Sequence, residues 1–210
     1  MPASVSRPEQ VRSLAALIRT LDLPKSTERW SCASLGSAHV GAVLADATLQ
    51  SGVNYNAIVA PRVKRIISDC PQASVTSGLR SVLRASGPQA FLNIANLRKC
   101  ATIWGLADLL RDEGVETIHE LATWVIRPDA IDKLRAVFGV GPKTASFMRL
   151  QLGHDAIAID RHIWGAAESA GVQEPDPDRL AALFKDAIAG TEITLAQVDE
   201  ALWLRGSRNQ

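Results

Sequence analysis

Lys143 and Asp160, seventeen residues apart, are the side chains best placed to do chemistry. Lys143 follows Gly139-Val140-Gly141-Pro142 and lies in the first turn of an apolar-periodic helix, beside Thr144. The positive end of a helix dipole opposes a further positive charge there. This favours loss of the lysine proton and leaves an amine able to attack an electrophilic carbon. Asp160 stands directly before Arg161-His162 at the start of another helix, where a carboxylate suits the N-cap. Beside a reacting centre the same carboxylate would stabilise developing positive charge. Gly139 and Gly141 permit a turn tight enough to bring several N–H groups to one side. With the N-terminus of the following helix they form a site for an anion such as phosphate. Pro142 suits the first helical position, where its missing N–H would be unpaired anyway. An ordinary connector between two helices would use the same glycine stop and proline start.

The elements that must position these residues are helical almost throughout. Apolar residues recur at three- and four-residue spacing over 9–21, 38–49, 57–67, 78–84, 96–110, 118–125, 130–138, 143–152, 161–170, 178–189 and 195–204. Turn residues separate them, among them Pro24, Pro71, Gly87-Pro88, Gly114, Pro128, Gly153 and the run Glu174-Pro-Asp-Pro-Asp. The only extended candidate is the short apolar run 156–159. The pattern predicts an all-α fold. The turn at Gly153 lies between Lys143 and Asp160 and marks a crossing between two lobes. One is a central bundle over 38–150 that includes the hairpin at about 131–152, and the other joins 1–37 to 151–210, with a cleft between them.

Composition narrows the setting. The chain has 210 residues, 47% of them hydrophobic, and no uncharged apolar run approaches the roughly 18 residues of a membrane span. The N-terminal sequence MPASVSRPEQ lacks the layout of a secretory signal. Cys32, Cys70 and Cys100 are too few and too scattered for a disulfide framework, which points to a soluble, cytoplasmic protein. Net charge is only +1, yet residues 61–100 carry Arg62, Lys64, Arg65, Arg80, Arg84, Arg98 and Lys99 against Asp69 alone. Residues 171–202 are acidic instead, seven carboxylates facing Arg179 and Lys185. A phosphate-facing side and a solvated side would produce this asymmetry; so would ordinary wet helix faces.

Hairpin, lysine and aspartate in this order resemble the helix-hairpin-helix DNA glycosylase superfamily, which includes endonuclease III and the 8-oxoguanine glycosylases. The resemblance covers about residues 38–170. It implies a glycosylase that flips a damaged or mispaired base out of duplex DNA, with Lys143 as the Schiff-base nucleophile of a lyase step and Asp160 as the essential carboxylate. Gly139, Val140, Gly141 and Thr144 would hold the DNA backbone, as would Arg62, Lys64 and Arg65. The segment Leu44-Ala-Asp-Ala-Thr-Leu-Gln-Ser is similar to the family segment that fills the gap left by the flipped base, which gives that role to Gln50; a surface position at a helix end is the alternative. Asn93–Cys100 is similar to the basic helix start before the hairpin.

The chain departs from the iron–sulfur members of that family, because no cysteine follows Cys100. Neither the cysteines nor His39, His119, His154 and His162 have metal-ligand spacing, so neither cofactor nor catalytic metal is expected. A monomer acting on double-stranded DNA is expected, with no membrane partner. Trp30, Trp104, Trp124, Trp164, Trp203 and Tyr55 are candidates for stacking on a flipped base, or for the core. The base excised is not legible. Two other functions remain open: a glycosylase without lyase activity, and a non-catalytic helix-hairpin-helix DNA-binding protein.

Overall fold

The computed structural model describes residues 6–25, 38–50 and 53–207; Trp30 and Cys32 lie outside them. Among the described residues there are eleven α-helices and no strand: α1 Arg7–Ile18, α2 Val40–Leu49, α3 Ala60–Asp69, α4 Thr76–Leu92, α5 Leu97–Asp112, α6 Ile118–Trp124, α7 Ala130–Ala136, α8 Pro142–Gln151, α9 Arg161–Ser169, α10 Pro177–Ala187 and α11 Leu195–Ser207. The chain is all-α. None of the described helices is long and apolar enough to cross a membrane.

Two places depart from the pattern read in the sequence. Gly87-Pro88 is a break, as read, but a second helical segment that the pattern did not mark follows it: α4 is kinked there, with Gly87 non-helical at φ +79° and ψ 156° and Pro88 opening the stretch to Leu92. Glycine takes that backbone geometry without penalty, and proline needs no N–H at a helix start. The run 156–159 is buried but forms no strand. Instead of a neighbouring ladder, side chains of the flanking elements satisfy the backbone. The Ala158 N–H donates to Asp199 Oδ1 at 2.7 Å, and Asp155 Oδ1 accepts the N–H of Ala196 at 3.0 Å.

The chain divides into two compact units, Met1–Arg29 with Asp155–Gln210, and Trp30–His154. In the first, Leu14 and Ile18 of α1 enter a core with Ile163 of α9, Leu180, Leu183 and Phe184 of α10, and Val198 and Leu202 of α11. Full burial of each such side chain is worth about 1.5–3 kcal/mol. Arg7 ties α1 to α10 through an exposed ion pair with Asp186 at 2.6 Å.

The second unit is organised around α2. All ten of its residues are buried, and it packs against α3, α4, α5 and α8. A helix enclosed on every side must be apolar on every side. Val40-Gly-Ala-Val-Leu-Ala-Asp-Ala-Thr-Leu49 meets that demand at every position except Asp46 and Thr48. His39 caps its start: Nδ1 accepts the Ala42 N–H at 3.1 Å, and Nε2 lies 3.1 Å from the Cys70 carbonyl. Nδ1 must therefore be unprotonated and Nε2 must carry the hydrogen. Burial lowers the pKa of the ring, with the Cys70 carbonyl opposing the shift.

Candidate active site

The turn between α7 and α8 is shaped by α5 beneath it. Gly139 has φ +84°, and a Cβ there would lie 2.2 Å from Thr102 Oγ1. A Cβ on Gly105 would lie 2.7 Å from Val137 Cγ1, so both contacts require glycine. Val140 turns inward, and its N–H closes the turn on the Val137 carbonyl at 3.0 Å. The N–H groups of Gly139 and Gly141 have no hydrogen-bond partner among the described residues. Gly141 is the N-cap of α8 in an extended conformation. The side chains of Val140 and Thr144 are buried, so what these residues can offer outward is backbone. Phe138 at the tip is 55% exposed, with the Arg98 guanidinium 5.1 Å from its ring centroid.

Lys143 occupies the first turn of α8. Its Nζ donates to Gln50 Oε1 at 3.0 Å, which brings together two residues that the sequence marks separately. Gln50 is the C-cap of α2, its N–H on the Asp46 carbonyl at 3.2 Å, while its buried side-chain Nε2 has no hydrogen-bond partner among the described residues. One turn back on α2 lies Asp46, 2% exposed. Tyr55 donates its hydroxyl to Asp46 Oδ2 at 3.1 Å, and among the described residues Oδ1 has no partner at full hydrogen-bond geometry. Burial pushes the Asp46 carboxyl up to about 7; hydrogen bonding from Tyr55 and Gln151 and the charge of Lys143 hold it from going higher. Lys99 of α5 donates to the Leu49 carbonyl at the end of α2. Its pKa is lowered by burial first and by the Lys143 charge second. Two ammonium groups and one buried carboxyl therefore share the C-terminal end of α2.

Sequence reading singled out Gln50 and Lys143 but not Asp46 or Gln151. A signal existed for Asp46, since a carboxylate inside an otherwise apolar ten-residue helix is costly unless used. Gln151 carried none. It sits eight residues after Lys143 on α8, and only packing against α2 gives it meaning.

Asp160 lies in the other unit, as N-cap of α9. It accepts the N–H groups of His162 at 2.8 Å and Ile163 at 3.1 Å, both on Oδ1. The basic stretch resolves into residues with different tasks. Arg62 donates to the carbonyls of Ile58 at 2.8 Å and Asn93 at 3.1 Å. Arg65 donates to those of Ala90, at 3.2 Å, and Phe91, so both arginines serve the end of α4, where Asn93 is left-handed at φ +52°. Lys64 and Arg84 are exposed, and Arg80 is buried in an ion pair with Asp108.

Among the aromatic candidates, Trp124 is buried and donates Nε1–H to Glu113 Oε2 at 2.9 Å, while Trp104, Trp164 and Trp203 are half-buried. Burial raises the pKa of the Cys100 thiol. No three His, Cys, Asp or Glu side chains among the described residues are grouped to hold a metal ion. Comparison with protein-family models, with curated proteins and with solved structures finds no match.

Proposed function

We propose that this protein is a DNA glycosylase with an accompanying strand-nicking lyase activity, built on a two-lobed helix-hairpin-helix scaffold and acting on a damaged or mispaired base. The observation that carries the reading is the place of Lys143. It is in the first turn of α8, directly after the Gly139–Gly141 turn, with its amine held at a buried polar cluster.

A base inside a duplex is out of reach, so the nucleotide must leave the stack. The N–H groups of Gly139 and Gly141, with the start of α8, suit a backbone phosphate and grip DNA regardless of sequence. The Lys143 Nζ lone pair then forms a bond to C1′ of the extruded nucleotide. The glycosidic electrons depart with the base, which takes up a proton. Opening of the C1′–O4′ bond, with a proton to O4′, leaves an imine between C1′ and Nζ. Loss of a C2′ proton pushes electrons through C2′ and breaks C3′–O3′, releasing the 3′ phosphate. Asp160 balances the positive charge that develops on the sugar.

Borohydride trapping on a panel of lesion-containing and abasic duplexes tests the reading. A covalent adduct is expected with the parent protein and none with Lys143→Gln, while duplex binding persists in both. Base release without an adduct would leave a glycosylase lacking the lyase step. Binding without base release on any lesion would leave a non-catalytic binder.

A further inference from the structure

We infer that the pocket at the start of α4 is a binding site of its own, one that takes the terminal phosphate of a small phosphate ester. It belongs to the Trp30–His154 unit but lies apart from the Lys143 cluster. Thr102 of α5 underlies the Gly139 turn, whereas Arg111, near the other end of α5, lines the pocket. Residues 102 to 111 span about 14 Å of that helix.

The pocket has a volume of about 430 Å³, and three guanidinium groups line it, those of Arg80, Arg84 and Arg111. Arg80 and Arg84 stand four residues apart and share a face of α4. The Arg80 side chain is 7% exposed, and its only hydrogen-bond partner among the described residues is Asp108. Burial lowers its pKa first, the charges of Arg111 and Arg84 lower it further, and Asp112 opposes them. Arg111 is held by Asp108 at 3.1 Å and Asp112 at 2.7 Å, neither of which lines the pocket. Arg84 is exposed and has no ion pair among the described residues. Its fork of N–H donors is uncommitted.

The start of α4 completes the site. Glu116 follows α5, and its carbonyl accepts the Thr76 N–H at 2.9 Å, which fixes its backbone there. Its carboxylate accepts the Ser77 N–H, at 3.2 Å to each oxygen, and the Ser77 hydroxyl. A carboxylate of the chain itself therefore already sits on the donors that a helix start turns toward an anion. Thr76, 1% exposed, also lines the pocket, and its hydroxyl has no partner among the described residues. A buried hydroxyl left so is costly, and a phosphate oxygen at the start of α4 would give it an acceptor.

The shape of the donor set selects the ligand. A carboxylate has two oxygens in one plane. A terminal phosphate has three around a tetrahedral centre, enough to meet the Ser77 donors and the guanidinium forks together. On its arrival the Glu116 side chain turns out to water while its backbone stays in place. The volume falls within the roughly 300–1,000 Å³ of small-molecule sites, which leaves room for an organic group beside the phosphate. A DNA backbone phosphate continues in both directions and needs an open groove, whereas a pocket encloses an end.

The test titrates the full chain at constant ionic strength with inorganic phosphate, adenosine 5′-monophosphate and a duplex lacking terminal phosphates. The backbone N–H signals of Thr76 and Ser77 are followed by NMR. Saturable shifts are expected with phosphate and, more tightly, with the nucleotide. Arg84→Ala should weaken nucleotide binding about tenfold. Because Arg84 has no ion pair to lose, that change is not a folding defect. Glu116→Gln should strengthen binding several-fold, since the competing charge is gone, and Lys64→Ala should leave it unchanged. Shifts that never saturate, or equal affinity in Arg84→Ala, would overturn the inference, as would an equal loss in Lys64→Ala. Inorganic phosphate binding as tightly as the nucleotide would remove the ester from it. Signals moved by the duplex and not by the nucleotide would assign the pocket to backbone phosphates and end the small-ester reading.

Discussion

The amine of Lys143 rests on the side-chain oxygen of Gln50, 3.0 Å away and 93 residues earlier in the chain. That bond ties the first turn of α8 to the C-cap of α2, one turn beyond Asp46. Gln50 was marked in the sequence as a residue to fill a gap in a base stack. In the structure it is engaged with Lys143, so filling such a gap requires it to let the lysine go.

The two readings of Asp160 part at a single substitution. Both N-cap bonds fall on Oδ1, and Asn offers an equivalent oxygen with about equal capping strength. Asp160→Asn should therefore keep its melting temperature within about 2 °C and lose base release by orders of magnitude, since an amide cannot balance charge on the sugar. Asp160→Ala should lose both, with a stability cost of about 1 kcal/mol. Thermal melts and base-release rates on the same samples decide it. Full activity in Asp160→Asn would mean the residue is a cap and nothing more.

The buried carboxyl has a signature in stability. Asp46 is raised from 3.8 to about 7 in the folded protein, so across that window the folded state holds a proton the unfolded state has lost. Stability from this group is fully present below about 4 and declines as pH rises toward 7, by up to about 4 kcal/mol. His39 works in the opposite direction. Its lowered pKa means that its contribution is present above 6.5 and is lost as pH falls below that. Denaturant unfolding at several pH values should show the decline toward neutral pH flattened in Asp46→Asn. An unchanged pH slope would show that the carboxyl is charged at little cost.

Gly139→Ala should destabilise the second unit by two separable effects. The positive φ costs about 1 kcal/mol for any side chain, and the new Cβ collides with Thr102 Oγ1. Adding Thr102→Ala should recover the collision cost and leave the backbone cost. Urea midpoints of the two single variants and the double variant measure the coupling. Simple additivity would show that the turn has moved away from α5.

The basic residues of α3 should separate as their contacts do. Arg62→Ala removes the side-chain donor to the Ile58 and Asn93 carbonyls and Arg65→Ala the one to Ala90 and Phe91, and each should cost about 1 kcal/mol of stability. Lys64→Ala removes an exposed charge and should leave stability unchanged. If α3 faces DNA, that last variant should lower the salt slope of duplex binding by about one unit. Binding equal to the parent at all salt concentrations would mark α3 as an ordinary solvated face.

Much of the helical framework was legible because its signals are local. Apolar residues recur at helical spacing in 9–21 and 96–110, and caps such as Asp160 announce the starts. Boundaries shifted by a few residues at several ends, as at Ala60–Asp69 against the expected 57–67. Gly87-Pro88 reads as a turn and is one, but the same pair lets a helical segment resume to Leu92, which the spacing did not mark. Charge counting could not see that Arg62 and Arg65 are committed to backbone carbonyls, because the left-handed Asn93 that leaves those carbonyls exposed is a feature of the folded chain. The polar cluster at the end of α2 was half legible. Lys143 and Gln50 stand at helix ends, where polar residues are conspicuous, whereas Asp46 and Gln151 acquire their neighbours only when α2 packs on α8.

The unit formed by Met1–Arg29 and Asp155–Gln210 is assembled from two segments separated by the whole of the other unit, and this bears on synthesis. During translation α1 emerges before α10, so Leu14 and Ile18 wait for partners that have not yet been made. At roughly 5–20 residues per second, the intervening Trp30–His154 takes about 6–25 s to appear. That intervening stretch is continuous and is free to fold as it leaves the ribosome. For those seconds Leu14 and Ile18 lack the partners that bury them in the folded unit, so that core closes only after α10 is made.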